Sequence, residues 1–461
     1  MDFDKSQRAE LWKQLLQVVD HYLDHTEDYR VAPELDRAAI QNFIGKMPLD
    51  DGLNAAEAIE HVLKGMQEYI VHTPHPSYYG LFNPRANFPA ILADTITACF
   101  NPQMAAWSHA PFCSEVENHL VAALAHKFGY PAADGVFATG GAEANQTALL
   151  CALNHHFPQY AQSGIQGIDQ APVIYCSSEA HHSLLKAARS SGLGSDALKT
   201  IPVDNFLRMD VDALKTAIEE DLAHQKAPLM IVATAGTTGA GSLDSLPEIH
   251  NIVDNYGLWL HVDAAYGGAA IISNSHKHHL AGIENSHSLT FDVHKWLSVP
   301  MGCSVFITRH TRILSQTFRT TTEYMPKDAV QMAVVDPFTH SIQWSRRFIG
   351  LKFYLALLTY GWRGFENMID RTIGLGEYLR RQVEKRGWTV ENHTFLPIVC
   401  FRPDHELDLT ELCQRIVNSG QAWISQYPVN GRPTLRACIT NYTTEEKHID
   451  KLLALLDLYK N

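Results

Sequence analysis

The spacing of hydrophobic residues divides the chain into three parts. In residues 1–74 they recur at helical spacing, most clearly in residues 11–19 and 59–66, which predicts an N-terminal helical segment. Because so small a segment buries little apolar surface by itself, we expect it to pack on the main body of the protein or on a partner subunit. A loop rich in proline and histidine follows at residues 72–80.

In residues 75–345 short apolar runs alternate with stretches of helical length. The predicted strands are residues 136–138, 173–176, 230–234, 258–263, 289–292 and 304–307. Strands separated by helices require crossover connections, which predicts a mostly parallel sheet with helices on both faces. In such sheets ligands bind at the carboxyl ends of strands, and the polar residues found there are Thr139, Thr234, Asp263 and Asp292.

The C-terminal part, residues 346–461, again alternates helix and strand. Residues 316–345 lack clear periodicity, which is typical of a functional or mobile loop. A long helix is predicted from near Ser345 through Leu358, followed by strands at residues 398–401 and 434–439. The predicted fold class is therefore α/β, with a large domain over residues 75–345 and a small C-terminal α+β domain.

Composition narrows the class of protein. A net charge of −13 argues against nucleic acid or an anionic membrane as the main partner. The N-terminus lacks the basic-then-apolar order of a signal peptide, and no uncharged apolar run reaches the roughly 18 residues of a membrane span. The eight cysteines are scattered without a Cys-x-x-Cys pair, which favours reduced thiols and a cytoplasmic location.

Three features of the large domain indicate one kind of chemistry. Lys295 lies in an apolar run, where an unpaired ammonium is costly, although a lone lysine there more often only passes its stem across apolar surface. Asp263 ends a second apolar strand, and residues 139–145 join a short strand to a predicted helix. An amine that forms Schiff bases, an acid for a pyridinium nitrogen and a helix N-terminus for a phosphate together predict pyridoxal 5'-phosphate as the cofactor.

Small residues complete the predicted cofactor site. Gly141 and Ala142 let a phosphate approach the helix start, although an ordinary glycine-rich turn has the same composition. Ala265 projects to the same face as Asp263 and is small enough to lie flat under a ring. The alternative for Asp263 is to cap the turn after its strand.

Polar residues near these positions are further candidates. His181 could stack on the opposite ring face, with His182 beside it as an alternative. His294 could contact the phosphate or the substrate, and Thr238 could donate its hydroxyl near the cofactor; for both, the alternative is an ordinary packing or loop residue. The histidines of residues 276–279 have no carboxylate or cysteine at ligand spacing, so no metal site is predicted.

Two motifs resemble those of a known family. Residues 261–266, His-Val-Asp-Ala-Ala-Tyr, are followed by His294, Lys295 and Trp296, and over nearly its whole length the chain resembles the group II pyridoxal phosphate-dependent decarboxylases, especially those of aromatic L-amino acids. Residues 110–117 and 345–348 resemble two further family segments, with Ala110 in place of the usual serine.

The resemblance implies a fold type I enzyme that forms an obligate dimer. It implies that Lys295 binds the cofactor aldehyde, that Asp263 pairs with the pyridine nitrogen and that His181 stacks on the ring. It also implies phosphate contacts from Gly141, Ala142 and the Asp292 side chain. The family commonly has asparagine at this last place, and a carboxylate next to a phosphate is repulsive unless it is protonated or turned away.

The resemblance also assigns a role to Tyr324. In this family a loop tyrosine at this distance from the lysine is thought to protonate the substrate α-carbon after carbon dioxide leaves, and its replacement by phenylalanine tends to divert the reaction to oxidative deamination. Tyr324 therefore favours plain decarboxylation. The alternative is a loop tyrosine with no role, because loops vary freely.

The substrate is predicted from the residues after the His-Pro turn. The family builds its side-chain pocket there, and Tyr78, Tyr79 and Phe82 favour an aromatic amino acid, unless these rings pack the N-terminal segment instead. Arg436 could bind a carboxylate bidentately, which would favour an acidic substrate, or be structural. Decarboxylation of glutamate, aspartate, cysteine sulfinate or 2,4-diaminobutyrate remains an alternative, as does an aminotransferase or aldehyde synthase.

Overall fold

The computed structural model describes residues 2–320, 332 and 334–460. Its N-terminal part has three helices, α1 (Lys5–Asp24), α2 (Arg37–Gly45) and α3 (Ala55–Glu68). The Asp4 carboxylate begins α1 by accepting a hydrogen bond from the Gln7 N–H. These three helices contain no buried residue, so the single chain leaves their apolar side chains exposed, among them Trp12, Leu16, Ile44, Val62 and Met66.

The large domain is built on a seven-stranded sheet. Its strands are β1 (Asp134–Ala138), β2 (Pro172–Ser177), β3 (Leu198–Ile201), β4 (Ala227–Thr234), β5 (Trp259–Asp263), β6 (Ser288–Asp292) and β7 (Ser304–Thr308). Their order is β1-β7-β6-β5-β4-β2-β3, and only β7 runs antiparallel to its neighbours. All six predicted strands are present. The edge strand β3 was not predicted, because only Ile201 in it is buried and it has no apolar run.

Helices cover both faces of this sheet, as predicted. They are α4 (Phe88–Phe100), α5 (Pro111–Lys127), α6 (Gly141–His156), α7 (Tyr160–Ser163), α8 (Ser183–Ser190), α9 (Val211–Ala223), α10 (Leu246–Tyr256) and α11 (Ile313–Phe318). Successive residues of β4 alternate between two cores. Met230 and Val232 pack with residues of α6 and α8, whereas Ile231 and Ala233 pack with residues of α5, α9 and α10.

The small domain contains a four-stranded antiparallel sheet, in agreement with the α+β prediction. Its strands are β8 (Trp388–Val390), β9 (Ile398–Pro403), β10 (Ser425–Val429) and β11 (Arg432–Cys438), in the order β10-β11-β9-β8. A segment from much earlier in the chain joins this domain: the Tyr79 N–H donates to the Trp423 carbonyl (2.8 Å), and the Cys438 N–H donates to the Tyr79 carbonyl (2.9 Å).

A 34-residue helix, α12 (Leu351–Glu384), connects the domains before α13 (Leu409–Asn418) and α14 (Glu446–Tyr459). Its predicted start near Ser345 is wrong. The Glu117 carboxylate pairs with Arg346 (2.7 Å) and accepts from the Gly350 N–H (2.9 Å), which holds the preceding residues out of the helix. The helix contributes to both cores, so the domain boundary at residue 345 stays a prediction. No helix in residues 2–320 and 334–460 is long and apolar enough to cross a membrane.

Candidate active site

The start of α6 forms one wall of the candidate site. Thr139 donates from its N–H and its hydroxyl to Glu143 Oε2 (2.9 and 2.7 Å), which fixes the turn into the helix. The first N–H groups of a helix lack intrahelical partners and attract anions. A Cβ at Gly141, the first helical residue, would lie 2.9 Å from Asp292 Oδ2, so only glycine leaves this cradle open.

Lys295 enters the site from the turn after β6. Its Nζ lies 3.0 Å from Asp292 Oδ2 and 5.6 Å from the centre of the Phe82 ring. Asp292 is buried, and its Oδ1 accepts a hydrogen bond of 2.5 Å from the Ser304 hydroxyl. The ammonium is therefore paired within an apolar surrounding, which accounts for a lysine in this sequence context.

His294 lies beside this ion pair. The Cys303 backbone holds its Nδ1, with the carbonyl oxygen at 2.8 Å and the N–H at 3.2 Å. This contact leaves Nε2 4.0 Å from Asp292 Oδ2. Burial lowers the pKa of His294, although the Asp292 carboxylate acts in the opposite direction. The residue therefore offers a neutral imidazole to the anion-binding part of the site.

Asp263 ends β5 and is held in place by an amide. Its Oδ2 accepts a hydrogen bond from Asn145 Nδ2 (2.9 Å), and its Oδ1 accepts one from the Ala265 N–H (3.2 Å). The Asn145 carbonyl oxygen in turn accepts from the Thr290 hydroxyl (2.7 Å) and lies 3.1 Å from His261 Nε2. All of these groups are buried, so the carboxylate has one fixed orientation.

His181 follows β2 on an exposed turn. Its Nδ1 lies 2.8 Å from the Ser183 hydroxyl, which also accepts from Asn145 Nδ2 (3.0 Å). Protein atoms around the ring exclude part of its water, and this desolvation lowers the pKa of His181; the nearby Asp263 carboxylate opposes that shift. His181 and Asp263 are thus connected through Asn145 and Ser183.

Arg436 of β11 has a structural role at the domain interface. Its guanidinium donates to the carbonyls of Thr238, Gly239 and Gly80 at 2.8, 2.8 and 2.7 Å. It therefore fixes the loop that carries Thr238, whose backbone rather than its hydroxyl makes this contact. The predicted cofactor contact of the Thr238 hydroxyl stays a prediction.

The three predicted substrate residues occupy different places. Phe82 stacks on Tyr266 with ring centres 4.0 Å apart, and lies next to Lys295 and Arg436. The Tyr78 hydroxyl accepts from the Leu81 N–H (3.0 Å), and its ring contacts Trp423 of the small domain. Tyr79 is fully buried in the small-domain core, as a packing residue.

The predicted cofactor residues converge on one edge of the sheet. The lysine follows β6, the carboxylate ends β5 and the glycine follows β1, and these three parallel strands end at the same edge. A reactive amine, a carboxylate fixed by an amide and an open helix N-terminus are the groups that hold pyridoxal phosphate. The residues present therefore fit that cofactor.

A family model described as the pyridoxal-dependent decarboxylase conserved domain matches residues 50–404. The chain belongs to the pyridoxal-dependent decarboxylase family. The decarboxylase uses pyridoxal phosphate as its cofactor and acts on an amino acid, as the sequence predicted.

The decarboxylase is similar to proteins with different substrates. It is 30% identical to an aromatic-L-amino-acid decarboxylase from Bacillus atrophaeus, over 93% of this chain and 90% of that protein. It is 31% identical to an L-aspartate decarboxylase from Metarhizium robertsii, over 78% and 73% of the two chains. The crystal structure of mouse CSAD matches with a TM-score of 0.93 and 26% identity over 100% of both chains, and this match confirms the predicted fold.

Sequence reasoning missed the residues that hold the site together. Asn145 lies one helical turn after Gly141, on the same face of α6, so its spacing could have revealed it. Ser304 belongs to a strand identified only by its apolar residues, and no sequence signal marks its contact with Asp292. Tyr324 lies outside the described residues, so its predicted role stays a prediction. Within the described part of the chain, no group of three potential ligands could hold a metal ion.

Proposed function

We propose that this decarboxylase converts an aromatic L-amino acid to the corresponding amine and carbon dioxide. The observation that carries the proposal is the position of Phe82, whose ring centre lies 5.6 Å from Lys295 Nζ. Buried and stacked on Tyr266, this ring forms an apolar wall beside the reactive amine. The similarity to an aromatic-L-amino-acid decarboxylase over most of the chain supports the same choice.

The cofactor and the protein contribute different parts of this chemistry. Bound pyridoxal phosphate supplies an electron sink for the electron pair left when the bond to the carboxylate breaks. Lys295 would hold the aldehyde carbon, and Gly141, Ala142 and His294 would hold the phosphate. Asp263, fixed by Asn145, would keep a proton on the pyridine nitrogen. His181 and Ala265 would enclose the two ring faces.

Proton delivery to the product carbon is assigned to Tyr324. A hydroxyl donor there would give the amine, whereas its absence would leave room for competing oxidation. Lys295, which would hold the cofactor, would also supply the amine that takes the place of the product amine there. The amine is therefore the expected product, and an aldehyde or keto acid would contradict this assignment.

The test is a substrate panel given to the purified holoenzyme, with amine and carbon dioxide quantified by mass spectrometry. The panel contains tryptophan, tyrosine, phenylalanine, glutamate, aspartate, cysteine sulfinate and 2,4-diaminobutyrate. We expect the highest kcat/KM for an aromatic substrate. Phe82→Leu should lower that value about tenfold, mainly through KM, because it removes a ring contact. The control is Phe206→Leu, which alters an exposed phenylalanine.

One observation favours an acidic substrate as the second candidate. Arg436 is buried, its Cζ lies 5.4 Å from the Phe82 ring, and no carboxylate of the described chain is within ion-pair distance of it. Its charge could therefore attract a substrate carboxylate even though three carbonyls accept its hydrogen bonds. If glutamate, aspartate or cysteine sulfinate gives the highest kcat/KM, the aromatic assignment is wrong and Arg436 is the recognition residue.

We propose that the protein is a homodimer. Apolar side chains are exposed on α1–α3 and also on α4, where Phe88, Leu92, Ile96 and Phe100 are exposed. A monomer rarely leaves this many large apolar side chains of its helices in water, and a second copy of the chain would cover them. Sedimentation equilibrium of the holoenzyme measures the mass directly, and a monomer at micromolar concentration would contradict the proposal. The cytoplasmic location stays a prediction.

A further inference from the structure

Asp292 is a carboxylate at a position where the family that this chain resembles commonly has a neutral asparagine. The resemblance that assigns a phosphate contact to this position also gives the family an asparagine there, which donates a hydrogen bond. An ionised aspartate only accepts hydrogen bonds. A carboxylate and a phosphate therefore require the same donors.

The structure shows how closely the carboxylate occupies the predicted phosphate-binding groups. Its Oδ2 lies against the first residue of α6, 2.9 Å from where a Cβ of Gly141 would be. The same oxygen is 3.0 Å from Lys295 Nζ and 4.0 Å from His294 Nε2. These are the helix N-terminus, the lysine and the histidine that would hold the cofactor.

Asp292 cannot turn away from this position easily. Its Oδ1 accepts the Ser304 hydroxyl at 2.5 Å, and its backbone N–H donates to the Ala265 carbonyl at 3.2 Å. The residue is only 3% exposed. An anion bound at the helix start would therefore meet the carboxylate at close range, in a site with little water to screen the two charges.

The charges that face Asp292 come from several elements. Lys295 and His294 follow β6, His181 follows β2, Asp263 ends β5, and Lys352 of α12 acts on His294. Among the lysines and arginines of the described residues, Lys295 is the one that pairs with this carboxylate, at 3.0 Å. Lys352 instead donates to the carbonyl of Met301 (2.8 Å) and pairs with Asp94 (3.4 Å). When Lys295 bonds to the cofactor aldehyde, the carboxylate loses its main partner at the moment a phosphate arrives.

We propose that Asp292 couples cofactor binding to the uptake of one proton. The inference rests on the assigned cofactor and deepens it. The Asp292 carboxylate pairs with Lys295 until pyridoxal phosphate engages that amine. Asp292 then takes a proton from solvent, becomes a neutral carboxylic acid, and donates to the phosphate the hydrogen bond that an asparagine would donate. Condensation of the Lys295 ammonium with the cofactor aldehyde releases one water and leaves the remaining proton on the lysine nitrogen, so that bond exchanges no proton with solvent. The one proton taken up binds Asp292, and the Lys295–Asp292 ion pair is the contact that breaks.

Proton uptake by Asp292 would make the affinity for pyridoxal phosphate depend on pH in one direction. Because the loaded site holds one proton more at Asp292, the affinity for pyridoxal phosphate falls as pH rises wherever this carboxyl is ionised in the free protein and protonated in the loaded one. Each pH unit weakens binding by up to about tenfold through this group. The variant Asp292→Asn keeps the size and the donor but cannot take up the proton, so it should bind the cofactor more tightly at alkaline pH.

The test measures cofactor binding, not turnover. Protein stripped of its cofactor is titrated with pyridoxal phosphate between about pH 6 and about pH 9, and calorimetry in buffers of different ionisation enthalpy counts the protons taken up. The same titration with pyridoxal, which lacks the phosphate, provides a comparison within the unaltered protein. The matched control variant is Asp254→Asn, which removes the same charge from an exposed position.

The expected result is an uptake greater by about one proton for pyridoxal phosphate than for pyridoxal in the unaltered protein and in Asp254→Asn. That difference should be absent in Asp292→Asn, whose affinity for pyridoxal phosphate at about pH 8.5 should be at least about tenfold higher. Equal proton uptake with both ligands in the unaltered protein overturns the proposal without any variant. Weaker binding by Asp292→Asn across the whole pH range also overturns it. Neither result bears on the choice of substrate, which the amino acid panel decides separately.

Discussion

The two edges of the large sheet hold histidines in opposite electrostatic settings. At the carboxyl edge, His181 and His294 lie near the carboxylates of Asp263 and Asp292 and beside Lys295. At the amino edge, imidazoles pack against an indole, and no carboxylate within the described residues pairs with them. The histidines at the carboxyl edge therefore lie next to carboxylates, whereas those at the amino edge pack against an aromatic ring.

The rings of the amino edge form a compact stack around Trp259. The Trp259 ring centre lies 4.8 Å from His310 and 5.2 Å from His287, and the two imidazoles are nearly parallel at 5.3 Å. Burial lowers the pKa of His287 to about 3 and that of His310 to about 4. Neighbouring histidines contribute to both of these shifts, because each added proton would repel the next.

A single helix connects these two settings. The α6 helix presents its first N–H groups to the site at Gly141 and ends among the stacked rings at His155 and His156. The negative end of a helix dipole favours cationic histidine, yet burial still lowers the pKa of His156 to about 4. At His156, desolvation therefore has a larger effect on the pKa than the helix dipole has.

The largest expected effect comes from removing the Lys295 amine at the carboxyl edge. Lys295→Ala should lower kcat by a thousandfold or more, roughly the size expected when a covalent catalytic group is lost. The measurement is amine formation by the holoenzyme, together with the visible absorbance of the bound cofactor, which should change because no covalent link can form. Lys64→Ala, on the exposed side of α3, should have normal activity. Near-normal turnover of Lys295→Ala would remove this residue from the reaction.

The next largest effect is expected for Asn145, whose side-chain amide holds Asp263 in place at the carboxyl edge. Asn145→Ala leaves Asp263, Ser183 and Thr290 without a shared partner, and unsatisfied buried groups cost roughly 1–3 kcal/mol each. We expect the free energy of unfolding to fall by about 2–4 kcal/mol in urea titrations.

Gln146→Ala, at the neighbouring position on the same helix, is the control and should change stability by less than about 0.5 kcal/mol. If both variants lose the same stability, the loss reflects helix α6 in general and not the contacts of Asn145.

The smallest effect is expected at the amino edge, where the histidines around Trp259 make the free energy of unfolding depend on pH. Histidine in the unfolded chain has a pKa of about 6.5, whereas burial lowers the folded values of His287 and His310. The unfolded chain therefore binds more protons below about pH 6.5, and the free energy of unfolding falls as pH decreases from there towards about 4. Urea titrations at several pH values measure this slope.

His310→Phe should make that slope shallower. Its Nε2 has no hydrogen-bond partner among the described residues, so phenylalanine keeps the stacking with Trp259 and removes one group that titrates. His119→Gln, at an exposed position of α5, is the control and should leave the slope unchanged. An equal slope in all three proteins would show that the stack does not control acid stability.

Much of the fold followed from the sequence, and so did the position of the candidate site at the carboxyl ends of the strands. Apolar runs such as β4 and β5 were recognisable because both faces of a parallel sheet are buried. Asp263 was recognisable as a charge at the end of such a run, and Lys295 as a charge within an apolar stretch. The ion pair between Lys295 and Asp292 was not recognisable from the sequence. The two residues are three positions apart, and that separation does not determine which side chains meet across a turn.

Tyr79 illustrates the limit of arguing from residue type. Its aromatic ring was assigned to the substrate because it follows the His-Pro turn, yet it packs in the core of the small domain. Its backbone pairs with Trp423 and Cys438, which are distant in sequence. Long-range pairing of this kind leaves no local pattern, so neither periodicity nor motif could reveal it.

That same pairing has a consequence for biosynthesis. The strand-like segment around Tyr79 is translated long before the residues that complete its sheet, because Trp423 and Cys438 lie far along the chain. Arg436, which fixes the Thr238 loop and the Gly80 turn together, is separated from Gly80 by 356 residues. A nascent chain therefore cannot finish the wall of its own catalytic cleft before these residues have emerged. We expect the cofactor to be acquired only after Arg436 has left the ribosome, so its supply limits maturation of the folded site and not the rate of translation.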